Sequence, residues 1–271
     1  SLADGRMQYS LLPNVAGGLH DDIIVTRLSA ERYYVVVNAS NTDADLAWMQ
    51  AQAPAFGVTV EAYAGRSMFA LQGPKSDAIL TDCGLKDLEA LKYYHLREDH
   101  LDGQPILLSR SGYTGEDGFE LSVPEAAAEA LWLRLVQAGQ VYGLKPVGLG
   151  ARNTLRLEMG YALYGHEIDA RGNPYEAGLG WVIKPAKGDF IGKAAMLSGK
   201  DAPTRKLTGF KLLDRGVARD GYNVVDAAGA VIGTVTSGAP SPSLDNACIG
   251  LAYVPVVLAA PGNPILIDVR G

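Results

Sequence analysis

Hydrophobic and polar positions change period several times along this chain. Residues 7–12, 23–28 and 33–37 cluster β-branched and aromatic side chains between Gly, Asn and Ser turns, which is a strand signature. Asn41 then reads as a helix cap and residues 42–52 as a short amphipathic helix, followed by strands at 58–62 and 67–71. Gly73-Pro74 breaks the chain before another helix. After Pro124, residues Ala128, Leu131, Trp132 and Leu135 recur at i, i+3, i+4 and i+7, predicting a helix with one face on a sheet and Gly139 as its stop. The polar run 199–205 then leads to short strands at 207–212, 223–226, 231–237, 249–254 and 265–269, the pattern of a small β-barrel. This order predicts an α+β region over 1–198, built of two interleaved subdomains that could hide two similar ferredoxin-like units, and a barrel domain over 206–271.

The segment Ser109-Arg110-Ser111-Gly112-Tyr113-Thr114-Gly115-Glu116-Asp117-Gly118-Phe119-Glu120-Leu121 sits between strand-like runs at 105–109 and 119–123, so it reads as a hairpin. Gly112, Gly115 and Asp117-Gly118 are expected to supply the positive-φ residues that the reversal needs. Alternation places Glu120 on the face opposite Phe119 and Leu121. A carboxylate planted in an apolar strand costs several kcal/mol unless hydrogen-bond donors meet it, so Tyr113 and Glu120 together read as a ligand pocket.

Composition narrows the function classes. With 271 residues, 48% hydrophobic and 20% charged, the chain can bury a sizeable core. A net charge of −6 and a pI near 5.3 argue against a general nucleic-acid surface, though not against a local basic pocket for an anion. Cys83 and Cys248 are single and far apart, with no CxxC or Cys/His ligand spacing, which predicts a reducing compartment and no structural zinc. No apolar run approaches the ~18 residues of a membrane span, and the start lacks a signal-peptide pattern, so neither membrane nor export is expected. His20, His95, His100 and His166 form no catalytic constellation and read as structural or exposed, and metal catalysis is not expected.

Three further patterns have a bland and a functional reading. Asp21 and Asp22 stand at the mouth of a strand, and alternation sends them to opposite faces. They are either a solvated turn pair or a source of one proton-accepting, cation-steadying carboxylate, for which Asp22, sharing a face with Ile24, is the candidate. Residues 148–158 read as a loop entering a helix, with Arg152 and Arg156 at i and i+4 on one side. That pair is either a solvated or internally paired basic face or a site for a carboxylate ligand, and its glycines are wrongly arranged for a phosphate loop. Residues 236–244, rich in Gly, Pro and Ser, read as a rigid hairpin connection.

With these residues in view, the chain resembles the glycine cleavage system T-protein family. The resemblance runs through Gly17-Gly18 with Asp21-Asp22, Val35-Val36-Val37-Asn38-Ala39, Gln72-Gly73-Pro74, Gly112 to Glu120, Gly148 to Glu158, Leu163-Tyr164-Gly165, Asp189-Phe190-Ile191-Gly192-Lys193 and Thr236 to Leu244. It implies an α+β folate-binding cloverleaf with ferredoxin-like subdomains plus a C-terminal small β-barrel. It also implies an aminomethyltransferase that passes the methylene from the aminomethylated lipoyl arm of H-protein to tetrahydrofolate, releasing ammonia without a metal. Carried over by motif, Asp22 would contact the reactive amine region of the folate, Tyr113 and Glu120 would hold the pterin, and Arg152 would complete the polar site. Tyr9, Asn38 and Tyr161 match positions lining the same pocket, and Arg219 matches a basic position near it. The resemblance places the protein in a bacterial cytoplasm, or in a mitochondrial matrix if the source is eukaryotic. Two departures accompany it: the family's N-terminal Phe-Asp-Val-Ser-His-like segment and its short basic C-terminal tail lie outside this chain, and Asn153 stands where the family has aspartate, removing a charge beside Arg152. Other folate-using relatives leave two alternatives, a demethylase of methylated amines or sulfonium compounds and a non-catalytic folate-binding assembly factor. The latter carries a Lys-Gly-Cys-Tyr-type motif that neither Cys83 nor Cys248 supplies.

Overall fold

The computed structural model describes residues 2–269. Its N-terminal elements are β1 (Met7–Pro13), β2 (Leu19–Ser29), β3 (Arg32–Val36), α1 (Thr42–Gln52), β4 (Arg66–Gln72), α2 (Ser76–Asp82), β5 (Leu96–Leu101), β6 (Gln104–Ser109), β7 (Gly118–Pro124) and α3 (Glu125–Gly139). They are followed by α4 (Leu149–Glu158), α5 (Lys193–Ser198), β8 (Arg205–Lys211), β9 (Asn223–Val225), β10 (Val231–Ser241), β11 (Ala247–Pro255) and β12 (Leu266–Ile267). The α+β class is as expected. Two compact units divide the chain: the residues up to Tyr9 with Ile24–Arg152, and Ser10–Ile23 with the residues from Asn153 on. The boundary falls inside β1, β2 and α4. Among the described residues no helix is long and apolar enough to cross a membrane.

The first unit is built on a four-stranded sheet in the order β4-β7-β6-β5, antiparallel throughout. Alternation in β7 decides what each face holds. Phe119, Leu121 and Val123 point to one side, where Leu71, Leu108 and the apolar stripes of α2 (Ile79, Leu80) and α3 (Leu131, Leu135) bury them. Each fully buried Phe or Leu there contributes about 1.5–3 kcal/mol. Trp132, on the edge of the α3 stripe, is 42% exposed and meets Phe69 with ring centroids 5.9 Å apart. The other face carries Glu120 and Ser122, and nearby Leu96 and Leu107 pack with Met7, Ile24, Leu28, Tyr34 and Tyr94. The outermost strand β5 was not foreseen, because its sequence Leu-Arg-Glu-Asp-His-Leu is mostly charged. It buries only Leu96 and Leu101, and Arg97 pairs with Asp99 at 2.8 Å while donating to the Asp87 and Lys86 carbonyls, a charged pattern that suits a sheet edge.

In the second unit β8–β12 form a five-stranded sheet in the order β12-β9-β10-β11-β8, with Val224, Val235, Ala252 and Val254 at its core.

Two expectations are corrected. Residues 58–62 form no strand: they are largely exposed, with no neighbouring strand to take their hydrogen bonds, so β-branched composition alone misled. Residues 236–244 are a hairpin connection only at their end: β10 continues to Ser241, and residues 242–246 turn the chain into β11 through a 3-10 helix at Pro242–Leu244 and left-handed Asp245 and Asn246. The strand tolerates Pro240 because β9 pairs with β10 only from Val231 to Thr234, so the ladder on that side has already ended.

Candidate functional site

Glu120 lies in β7 opposite Ser109 of β6. It is half-buried, and the donor that its position demanded is Ser111, whose hydroxyl gives Glu120 Oε2 a 2.6 Å hydrogen bond. Ser111 Oγ in turn lies 2.8 Å from Ser109 Oγ, both serines being buried. On the same face, two residues along, Ser122 Oγ accepts 2.9 Å from Arg66 Nε and bonds the Tyr34 phenol. Burial pushes that phenol's pKa up, against the pull of its Ser122 bond and of Arg66. Tyr34 was missed at the level of sequence, although its position is readable: it and Tyr33 alternate in β3, and only Tyr33 faces solvent, at 55% exposure.

The loop between β6 and β7 carries Tyr113, half-buried, and the Arg152 guanidinium stacks over its ring at 4.8 Å from the centroid. This pairing belongs to the cation–π class. The loop's glycines act differently from expectation. Only Gly115 adopts positive φ, at +78°, and Gly112 and Gly118 do not. Their role is space: at either one, an added Cβ would fall on the side-chain amide of Gln72, which threads between them. Gln72 Nε2 donates to Ser111 O at 3.1 Å and to Phe119 O at 3.3 Å, and Thr114 Oγ1 donates to Gln72 Oε1 at 3.2 Å. Arg110 closes the base of the loop with a fork onto Asp117 at 2.9 and 2.5 Å. That contact holds the Asp117 carboxyl below the usual carboxylate range.

Tyr9, the last residue of its segment in the first unit, is half-buried in β1. Asn38 is half-buried in extended backbone just before a 3-10 turn at Ala39–Asn41. Asp22, Tyr161 and Arg219 belong to the second unit. In β2, Leu19, Asp21 and Ile23 occupy the sealed face, with Asp21 fully buried, while His20 and Asp22 are half-buried on the other. Neither aspartate is without an interacting neighbour. Arg219 is exposed between β8 and β9.

Arg156 and Arg152 do not share one basic face. Arg156 is sealed, with 1% of its side chain exposed, and pairs with Glu167 at 2.8 Å. Its Nε donates to Asn153 Oδ1, Nη1 to Tyr161 O and Glu167 Oε2, and Nη2 to Asn153 Oδ1 and Ser237 Oγ. The five N–H groups of a guanidinium are thereby all used. Glu167 receives Leu163 N on Oε2, and the Thr236 and Ser237 hydroxyls on Oε1 at 2.7 and 2.6 Å. Half-buried Tyr161 is held by this network through its backbone oxygen. Asn153 is therefore a partner of Arg156, which corrects its expected place beside Arg152; a neutral amide oxygen serves a guanidinium whose charge Glu167 already balances.

Residues 1–187 match the family model described as the GCVT N-terminal domain, and residues 205–271 match the glycine cleavage T-protein C-terminal barrel domain. An aminomethyltransferase of Chloroherpeton thalassium is 46% identical over 272 residues, covering 100% of this chain and 75% of that protein. One of Bdellovibrio bacteriovorus has the same identity and coverage, 46% over 272 residues, 100% and 75%. The crystal structure of the glycine cleavage system aminomethyltransferase T from Bartonella henselae superposes with a TM-score of 0.91 at 38% identity, over 100% of this chain and 73% of that one.

Proposed function

The chain belongs to the glycine cleavage T-protein family and is an aminomethyltransferase of that family, and we propose that its donor is the aminomethylated lipoyl arm of H-protein and its acceptor tetrahydrofolate. Enzymes of this family take tetrahydrofolate as co-substrate. The observation that carries the acceptor site is the half-buried Glu120, turned away from the core and fixed on one oxygen by Ser111. A pterin presents a flat ring with two adjacent donors, which a carboxylate can meet with paired, charge-assisted hydrogen bonds. Tyr113, backed by Arg152, offers an aromatic surface on the loop that leads into β7. In this reading Glu120 and Tyr113 hold the pterin and Arg152 completes the polar site.

Asp22 is assigned to the reactive nitrogen by the resemblance, with Tyr9, Asn38, Tyr161 and Arg219 as further folate contacts. The folate N5 attacks the methylene carbon of the aminomethyl arm as the amine leaves as ammonia, and N10 then closes on the same carbon as the C–S bond breaks. The N5 and N10 protons end on the ammonia and the lipoyl thiol, so that the products are 5,10-methylenetetrahydrofolate, ammonia and dihydrolipoyl H-protein. Asp22 steadies the positive charge that builds on that carbon, an electrostatic role that needs no covalent enzyme intermediate. Incubation of the chain with tetrahydrofolate and aminomethylated H-protein should release ammonia and form 5,10-methylenetetrahydrofolate in equal amounts. Turnover with methylated amines or sulfonium compounds in place of H-protein would reassign the donor, and no turnover with any of them would leave a binding protein.

A further inference from the structure

Resting on the assignment of Glu120 and Tyr113 to the folate, we infer that Gln72 is a positioning residue of that site. It ends β4 directly opposite Gly118. From there its amide clasps the loop on both strands at once, through Ser111 O at 3.1 Å and Phe119 O at 3.3 Å. Those two carbonyls belong to the residue that donates to Glu120 and to the residue preceding Glu120 in β7. Thr114, next to Tyr113, fixes the amide's orientation by donating to its oxygen. Between these anchors the loop has one chain path, and the side chains of Ser111, Tyr113 and Glu120 leave it in set directions.

The chemistry is specific to a primary amide. The position must donate twice and accept once while staying uncharged, which a carboxylate, an ammonium or a hydroxyl cannot do. It must also lie flat against two residues that lack a Cβ. At Gly118 an added Cβ would fall 2.5 Å from Gln72 Cδ and 2.6 Å from its Nε2, and at Gly112 closer still to Oε1. Neither glycine has positive φ, so the amide's passage, and not turn geometry, accounts for both.

The test compares Gln72→Met, which keeps the length and removes the hydrogen bonds, with Thr114→Val, a milder change that frees the amide's orientation and drops the 3.3 Å hydrogen bond that Glu116 N gives Thr114 Oγ1. Both are made in the full chain and assayed for tetrahydrofolate affinity by calorimetry and for turnover with aminomethylated H-protein. Gln72→Met should raise the dissociation constant and the KM for tetrahydrofolate about tenfold, and Thr114→Val about threefold. A kcat within about twofold of the parent is expected for both, the split that marks lost binding geometry. A purely structural Gln72 would instead lower the active fraction, and so kcat, at unchanged KM, and that result overturns the inference. If Gln72→Met does not fold, an unchanged KM in Thr114→Val overturns it alone. Glu120→Ala run alongside separates the two levels: normal folate affinity in that variant would remove the site itself.

Discussion

Arg156 and Glu167 meet at 2.8 Å with 1% and 0% of their side chains exposed. Every N–H of the guanidinium and both carboxylate oxygens find partners from α4, the 161–167 segment and β10. Such a pair adds little net stability over an apolar substitute, but removing one member strands a buried charge. Arg156→Met should therefore cost about 3–5 kcal/mol, and Arg156→Met combined with Glu167→Leu distinctly less than that. Urea denaturation monitored by circular dichroism reads both, and a double variant no more stable than the single one would show that the surrounding hydroxyls, not the unpaired charge, set the cost.

Glu120→Ala should weaken tetrahydrofolate binding by about 10- to 150-fold, the loss of charge-assisted hydrogen bonds worth about 1.5–3 kcal/mol. Calorimetric titration decides it, and equal affinities would take Glu120 out of the site.

Asp22→Asn separates holding from chemistry. Folate affinity should stay within a few fold while formation of 5,10-methylenetetrahydrofolate drops by about 10² or more. Turnover at the parent rate would refute the electrostatic role of Asp22.

Asp117 supplies a pH signature. Its pKa is lowered in the folded protein, first by the hydrogen bond from Arg110. A carboxyl with a depressed folded value stabilises above its unfolded pKa, about 3.9, and loses that contribution as the pH falls through the folded value. The side chain is 41% exposed, so solvent screening limits the pair to about 1 kcal/mol or less. Asp117→Asn should melt about 2–4 °C lower at neutral pH, with the two melting curves converging in acid below the usual carboxylate range. A gap that persists in acid would mean that Asp117 acts through packing instead.

Much of this fold was legible where one local rule dominated. Helix α1 spans the expected residues 42–52, with Asp43 and Asp45 in its first turn, although Asn41 makes no side-chain capping bond and Asp45 is the residue it buries, so the expected cap and apolar face are corrected. The 109–121 hairpin was legible because strict alternation around Glu120 fixed its face before any neighbour was known. What failed depended on neighbours. Whether 58–62 pair with another strand, or whether Pro240 can sit inside one, is decided by which chain lies alongside. The site followed the same divide. The places of Tyr113 in the loop and of Glu120 off the core face were readable, whereas Ser111 and Gln72, ordinary polar residues in sequence, acquire meaning only from where their hydrogen bonds go. Arg152 and Arg156 looked equivalent at i and i+4, yet one stacks on Tyr113 and the other is sealed against Glu167.

On the ribosome, residues 10–23 emerge before Ile24–Arg152, yet they belong with the residues from Asn153 on. At about 5–20 residues per second, translation leaves that early stretch waiting for seconds after its neighbours have all they need to fold. It carries Leu12, Leu19 and Ile23, all buried in the finished protein. A nascent chain stalled once Arg152 has cleared the exit tunnel should resist protease across Ile24–Arg152 and be cut within 10–23. Protection of Ile24–Arg152 with cleavage at 10–23 would define a window in which Leu12, Leu19 and Ile23 still await the residues they cluster with, a stretch for a holdase to shield.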